Sequence, residues 1–266
     1  MFNLMIILSS AINSEPIDSN NYKIAKYIIE HIHELEDITL TELAKNCYVS
    51  NSSISRFCRA IGFKDFNTLK IQVARFASEN KYAKEKFQFK PFNDQSVCQS
   101  YILSVIDNLN HLYQPSLDKE IQQLVNDIAH YQKIAAFGYL QSENIALNMQ
   151  YDLRTNHKII FSCIKFVDQV EYIQKADKNT LIIIFSESGT YFNRVFQRTK
   201  PFKNTKDKPK ICMITANAEL SLPYVDQMIT YHSRNDYASH PYPLGVIADL
   251  ICIQYARLAQ ERNDGL

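Results

Sequence analysis

The sequence predicts an all-α domain followed by an α/β domain built on a parallel sheet covered by helices on both faces. Three observations lead there. Up to about Phe76, apolar residues recur at helical spacing, as in Tyr22, Ile24, Ala25, Ile28, Ile29 and Ile32. Beyond His130, short apolar runs alternate with helical stretches. Those runs are Lys133–Phe137, Lys158–Phe161, Leu181–Phe185, Ile211–Ile214 and Gln227–Thr230. Most are apolar at consecutive positions, which marks strands buried on both faces.

In the first part, a helix carries Tyr22 to Ile32. A second starts near Thr39, with Thr39 or Thr41 as cap and Glu42 three residues beyond Thr39. After the break Asn46-Cys47-Tyr48-Val49, Ser50 opens a third helix with Ile54, Phe57, Cys58 and Ile61 on one face, and Gly62 closes it. Phe66, Leu69, Val73 and Phe76 mark a fourth. From about 78 to 94 the chain turns charged and aromatic around Pro91 and reads as a linker, so the domains are expected at 1–77 and 95–266. Two helices follow, roughly Gln95 to Leu112 and Leu117 to His130, the latter with Ser116 as candidate cap. The last helix runs from about Pro243 to Gln260.

Composition narrows the classes. The chain has 266 residues, 46% hydrophobic and 21% charged, with a net charge of +1, as expected for a globular protein. No stretch reaches the ~20 apolar residues of a membrane span. The apolar start MFNLMIILSSAI lacks a basic leader, so no signal peptide is expected and the cytoplasm is the predicted location. None of the six cysteines forms a Cys-x-x-Cys pair or sits at metal spacing with a histidine. They read as reduced structural thiols, with no metal site and no cofactor expected.

Two regions carry chemistry. The second and third helices, joined by a short turn, match a helix-turn-helix, with Leu43, Ala44, Val49, Ile54 and Phe57 as its packing seam. The third would be the recognition helix, with Ser50, Asn51, Ser52, Ser53, Ser55, Arg56 and Arg59 offering donors to phosphates or base edges. Lys64 extends that surface. From Lys45 to Phe76 the charged residues are Lys45, Arg56, Arg59, Lys64, Lys70 and Arg75 against Asp65 alone. A helical bundle with a solvated basic face fits the same pattern.

The second region lies at strand ends. Ligands of open parallel sheets bind beyond the carboxyl ends of strands, near a topological switch point. Ser186, Ser188, Gly189 and Thr190 follow a buried strand directly and open a helix, whose free N–H groups suit an anion. Gly138 to Ser142 and Thr215 to Asn217 end two other strands. Ser142 alone reads as an ordinary helix cap.

Both halves resemble the RpiR family of bacterial transcription regulators. The stretch from Val49 to Phe66, with Ser50, Arg56, Phe57, Gly62 and Phe63, is similar to that family's helix-turn-helix signature, and Ser186-Glu187-Ser188-Gly189 resembles the S-x-S-G motif of sugar isomerase (SIS) domains. The resemblance implies a flavodoxin-like SIS sandwich in the second half. It implies double-stranded DNA as partner, with a palindromic operator, a homodimer or higher oligomer, and a phosphosugar effector held by Ser142, Ser186, Ser188 and Thr190. It implies no catalytic residue. The sequence departs from the pattern at Leu140 and Tyr48, where glycine is usual, and at Thr190-Tyr191. Two further readings stay open: a sugar-phosphate isomerase drawing on Glu187, His232, Asp236 or His240, and a regulator whose SIS domain only dimerises.

Overall fold

The computed structural model describes residues 4–35, 37–78, 96–195, 202, 207–234 and 238–264. Apart from Ser78, the linker expected at 78–94 lies outside them, as does Asp236. The chain divides into two compact units, Met1–Glu85 with Ile164–Val170, and Lys86–Cys163 with Glu171–Leu266.

The first unit is helical. Helix α1 (Leu4–Ser14) buries Leu4, Ile7, Leu8 and Ala11. Pattern reading assigned no helix here, because the run from Leu4 to Leu8 is apolar without a break and shows no period. Helix α2 (Asn20–Glu30) is capped by Ser19, whose hydroxyl accepts from the Tyr22 N–H at 3.1 Å, and it buries Ile24, Ala25 and Ile28. Helix α3 (Leu40–Asn46) starts on a full capping box. The Glu42 N–H donates to Thr39 Oγ1 at 3.2 Å, and the Thr39 N–H donates to Glu42 Oε2 at 2.9 Å. The Thr39 N–H foremost, and then the Thr39 hydroxyl donating to the same Oε2 at 2.7 Å, hold the Glu42 carboxyl below its ordinary range. Ser50 caps helix α4 (Asn51–Ala60) by accepting from the Ser53 N–H at 3.2 Å. Helix α5 (Phe66–Ser78) follows.

Helices α3 and α4 end alike. The Val49 N–H reaches the Ala44 carbonyl at 2.9 Å and the Tyr48 N–H the Lys45 carbonyl at 3.1 Å. Fourteen residues on, Phe63 N–H reaches Cys58 at 2.7 Å and Gly62 N–H reaches Arg59 at 3.1 Å. Both are Schellman motifs, which need a left-handed residue just past the helix. Gly62 supplies it at φ +90° and Tyr48 at φ +55°.

The second unit is α/β. Helices α6 (Val97–Asn110) and α7 (Pro115–His130) precede the sheet. Helix α7 begins at Pro115 rather than on Ser116. Gln114 is its cap residue, and proline is well placed at the first helical position, where its missing N–H loses nothing. Four parallel strands follow: β1 (Lys133–Phe137), β2 (Thr180–Phe185), β3 (Lys210–Thr215) and β4 (Gln227–Thr230), in spatial order β1-β2-β3-β4. The register pairs Phe137 with Ile184, Phe185 with Ile214, and Thr215 with Thr230, so all strands end at one edge. Ile134, Ala136, Leu181, Ile183, Cys212 and Ile214 join a core with α7, with helix α8 (Gln141–Thr155) and with helix α11 (Tyr242–Asp264). The alternate residues face the other way, where the Phe137 ring meets Tyr172 of helix α9 (Phe166–Lys175) at 5.6 Å. Helices thus cover both faces, and helix α10 (Tyr191–Val195) follows β2.

The expected strand Lys158–Phe161 does not form as such. Only Phe161 pairs, parallel to Ala135 on the outer edge of β1, while Ile159 points to solvent. That single bridge still decides the topology. The chain after β1 passes first to one side of it and then, with β2, to the other. The reversal between β1 and β2 is the switch point of a flavodoxin-like sheet.

Helix α6 is inside out. It buries Ser100, Ser104 and Asn108, one helical row, and exposes Ile102, Leu103 and Ile106 on the opposite side. Asn108 Nδ2 donates to the Ser104 carbonyl at 3.0 Å, and its Oδ1 accepts from Ser239 Oγ at 3.4 Å.

Candidate functional sites

The α3–turn–α4 pair rests on the seam read from the sequence: Leu43, Ala44, Ile54 and Phe57 are buried and Val49 is half-buried. Asn51 Nδ2 donates to Thr41 Oγ1 at 3.3 Å, tying the start of α4 to the start of α3. Ser50, Asn51 and Ser52 are exposed at the N-terminus of α4, and Arg56, Arg59 and Lys64 are exposed further along. Ser55 is half-buried and donates back to the Asn51 carbonyl at 3.2 Å. Arg59 Nε donates to the Ser55 carbonyl at 3.3 Å.

Ser53 is a correction. It is 5% exposed, so it does not belong to the outer face of α4. Its hydroxyl lies 2.9 Å from that of Ser50 and accepts from Asn20 Nδ2 and from Arg56 Nη2, both at 3.3 Å. It therefore positions Arg56. Ser19, Asn20, Asn21, Ser53 and Arg56 line a polar concavity beside the N-terminus of α2. Sequence reading missed Asn20 because it lies 33 residues before Ser53, outside the motif.

At the sheet, three loops meet where the strands end. Ser186 and Ser142 are buried, Ser188 is exposed and Thr190 is half-buried, with Ser188 Oγ 2.9 Å from Thr190 Oγ1. Gly189 has φ +72°, a backbone that favours glycine, and a Cβ there would lie 2.5 Å from Leu220 Cδ2, a side-chain end that would have to turn aside. Thr215 Oγ1 donates to the Glu187 carbonyl at 3.0 Å, and the Ala216 N–H donates to the same oxygen at 2.9 Å. These bonds fasten the loop after β3 to the loop after β2. Gly138 is constrained by space alone, since a Cβ would lie 2.6 Å from the Ser142 backbone. Tyr139 stacks on Tyr191 with ring centroids 4.7 Å apart, joining the loop after β1 to the loop after β2 across the switch point.

Two features of this edge bear on charge. Leu140, where glycine was expected, holds φ +51° and ψ −113° and makes no side-chain cap for α8. Glu143, in the first turn of α8, is buried, and burial raises its carboxyl to about 7. Glu187 is committed internally: Ser233 Oγ donates to its Oε1 at 2.7 Å, and His240 Nδ1 lies 3.0 Å from its Oε2. Of the acid–base candidates, the structure thus brings Glu187 and His240 together. His232 instead sits beside His111, with ring centroids 5.7 Å apart.

All six cysteines are free. Burial raises the Cys47 and Cys58 thiols to about 11, so neither is a ready nucleophile. Among the described residues there is no group of three or more His, Cys, Asp or Glu able to hold a metal, and no helix long and apolar enough to cross a membrane.

A tight-turned helix pair ahead of a parallel-sheet unit with a polar strand-end cradle defines the class: a helix-turn-helix domain joined to an α/β domain. Residues 7–80 match the helix-turn-helix domain of the rpiR family, and the chain carries that family's domain at its N-terminus. Over 132 residues it is 28% identical to an HTH-type transcriptional regulator of Caldanaerobacter subterraneus subsp. tengcongensis, covering 47% of this chain and 44% of that protein. It is 25% identical over 174 residues to another of Providencia stuartii, covering 63% and 60%. The chain thus spans about half to three fifths of these curated relatives. In fold it is similar to Vibrio vulnificus NanR complexed with ManNAc-6P, at TM-score 0.47 and 16% identity over 98% of this chain and 94% of that one. It is also similar to the sugar isomerase domain of an RpiR transcription factor from Sphaerobacter thermophilus, at TM-score 0.46 and 15% identity over 64% and 97%.

Proposed function

We propose that this protein is a cytoplasmic DNA-binding transcriptional regulator of carbohydrate genes, with a helix-turn-helix domain at 1–77, a linker at 78–94 and an effector-binding, dimerising SIS domain at 95–266. One observation carries the reading: α4 presents Ser50, Asn51, Ser52, Arg56 and Arg59 outward from a packed helix-turn-helix seam, with Lys45 and Lys64 beside them and no acid between those two lysines. Its regulator relatives support it. Polar side chains at a helix N-terminus suit the major groove, and flanking cations suit phosphate. Arg56, drawn toward the α2 N-terminus by Ser53, is a phosphate contact in this reading, while Asn51 and Ser52 face the bases. Arg56→Ala then weakens binding to all DNA about equally and lowers the salt slope by about one. Anisotropy titration of the full chain on the DNA upstream of its neighbouring genes, at several salt concentrations, is the test. Absence of salt-sensitive, sequence-selective binding refutes the reading.

The effector is a phosphosugar held at the β1/β2 switch point by Ser142, Ser186, Ser188, Gly189 and Thr190. Hydroxyls and backbone N–H groups there supply donors for phosphate. Thermal-shift screening with a phosphosugar panel tests it, since a ligand of the folded form raises the melting temperature. Helix α6 supports a homodimer. Its exposed Ile102, Leu103 and Ile106 form an uncharged stripe, and Asp107, its one charged residue, is already paired with Arg234 at 2.7 Å. Such a face complements a second copy of itself and matches neither DNA nor a phosphate. A two-fold dimer would read a palindromic operator. Ile102→Glu with Ile106→Glu gives a folded monomer by light scattering, whereas a persisting dimer rules out this face.

The Glu187–His240 pair favours a second reading, a sugar-phosphate isomerase, because proton transfer needs a positioned carboxylate or imidazole. It ranks below the first, since Ser233 already holds Glu187 Oε1 and the matched family domain and the relatives are those of regulators. Turnover of any aldose phosphate by the purified protein would reverse the order.

A further inference from the structure

Tyr48 breaks two rules at one position. It is a bulky residue in the left-handed region, φ +55°, where side chains of its kind are rare. It is also 94% exposed, so its ring returns no burial for the strain. The same chain places glycine at the equivalent position of the next helix, Gly62, so nothing in the Schellman motif itself calls for tyrosine. Strain kept without any packing return points to a task outside the folded chain.

The surroundings say what kind. Tyr48 lies two residues before Ser50, the cap of α4, in the turn that leads into the candidate recognition helix. Lys45, Asn46, Ser50, Asn51 and Ser52 around it are exposed, and from Lys45 to Lys64 the chain carries no acid. An aromatic ring with a phenolic donor, flanked in sequence by Lys45, two amides and two hydroxyls, fits a polyanion better than an apolar partner. Tyrosine is among the side chains that bond phosphate oxygens.

We propose that Tyr48 is a DNA-backbone contact, its phenolic hydroxyl donating to a phosphate beside the bases faced by α4. The proposal rests on the DNA-binding reading above and adds a residue that the motif does not supply. Tyrosine is retained where glycine is easier because it contributes to the complex what it costs the free protein.

The test uses the full chain, with Tyr48→Phe and Tyr48→Gly beside wild type. Phe keeps the ring and the backbone strain but loses the donor. Its melting temperature stays at the wild-type value while its affinity falls roughly tenfold, the scale of one hydrogen bond to a charged group. Gly relieves the strain, so it melts higher and binds more weakly. Both losses are the same on specific and non-specific DNA, and the salt slope does not change because a neutral side chain releases no counterion. Unchanged affinity in Tyr48→Phe overturns the proposal, whatever Tyr48→Gly does. So does a loss confined to one DNA sequence, which would make Tyr48 a base contact. If wild type itself binds no DNA, the underlying reading fails rather than this residue's part in it.

Discussion

Gly62 and Gly189 both sit at positive φ, at +90° and +72°, but their surroundings differ, so alanine at each separates conformational cost from crowding. At Gly62 a Cβ meets nothing within 4 Å. The change costs only the left-handed backbone, about 1–2 kcal/mol, offset by about 0.4–1 kcal/mol from a less flexible unfolded chain. The expected net loss is about 1 kcal/mol. At Gly189 the same backbone cost applies, and the new methyl group lies 2.5 Å from Leu220 Cδ2 and 3.4 Å from Thr215 Oγ1. The half-buried Leu220 must turn its end aside, and an off-rotamer side chain costs about 0.5–1.5 kcal/mol. The expected loss is about 1.5–2.5 kcal/mol. Urea unfolding followed by circular dichroism measures both, each read in the transition of its own domain. Equal losses at the two sites would refute the crowding argument. A neutral Gly189→Ala would mean that the loop after β2 does not adopt this conformation, and the cradle built on it would fall too.

Other predictions follow from the same edge of the sheet. Glu143 is raised to about 7 in the folded chain, above its ordinary value near 4.5. Its contribution is fully present below that ordinary value and is lost as pH rises through about 7, because deprotonation leaves a charge in a buried place. Wild type should lose about 2 kcal/mol between pH 5 and 8 on this account, after allowance for partial solvent screening. Glu143→Gln should match wild type at pH 5 and exceed it at pH 8, as read by urea midpoints. Parallel pH profiles for the two proteins would remove Glu143 as the cause. Leu140→Gly relieves an unfavourable backbone at the entrance to α8 and should stabilise the α/β domain by about 0.5–1 kcal/mol, the strain relieved exceeding the entropy lost. It should also tighten phosphosugar binding by calorimetry, and weaker binding would make the Leu140 side chain part of the site.

Helices with a clear period were legible from the residues alone. Thr39 and Glu42 announced a capping box three residues apart, and the structure contains it. Strands β1 to β3 were legible because Leu181 to Phe185 and its counterparts are apolar at successive positions, and β4 because Met228-Ile229 falls in step with the alternation of apolar runs and helices. Helix α1 was not, since an unbroken apolar run carries no phase. The run Lys158–Phe161 has strand composition, yet strand formation depends on a neighbour along its length, and only Phe161 finds one. Pairings distant in sequence were the least accessible. Glu187 with Ser233 spans 46 residues and Asn20 with Ser53 spans 33, and no local pattern encodes either. Ser53 was misread because the exposed and buried faces of α4 meet at that residue, and a hydroxyl fits both.

Among the positive-φ residues, two are glycine, Gly62 and Gly189, and two stand where the resemblance led one to expect glycine, Tyr48 and Leu140. Tyr48 at φ +55° lies inside the small left-handed region open to L-residues, so a side chain is tolerated at moderate cost. Gly62 at φ +90° lies outside it, and no side chain substitutes freely even though space is available. Gly189 combines positive φ with Leu220 packed against it and is doubly constrained. Leu140 is the exception. Its φ of +51° suits the left-handed region, but its ψ of −113° does not, and the side chain is partly exposed at the mouth of the cradle. By conformation alone this is where glycine is needed most among the two replaced positions. In the phosphosugar reading proposed above, the strained Leu140 backbone, with the buried Glu143 carboxyl three positions on, makes the loop after β1 less hospitable to phosphate than the loop after β2. In that reading, recognition at this edge falls mainly to Ser186, Ser188 and Thr190, and the Tyr139–Tyr191 stack limits how far the two loops can part.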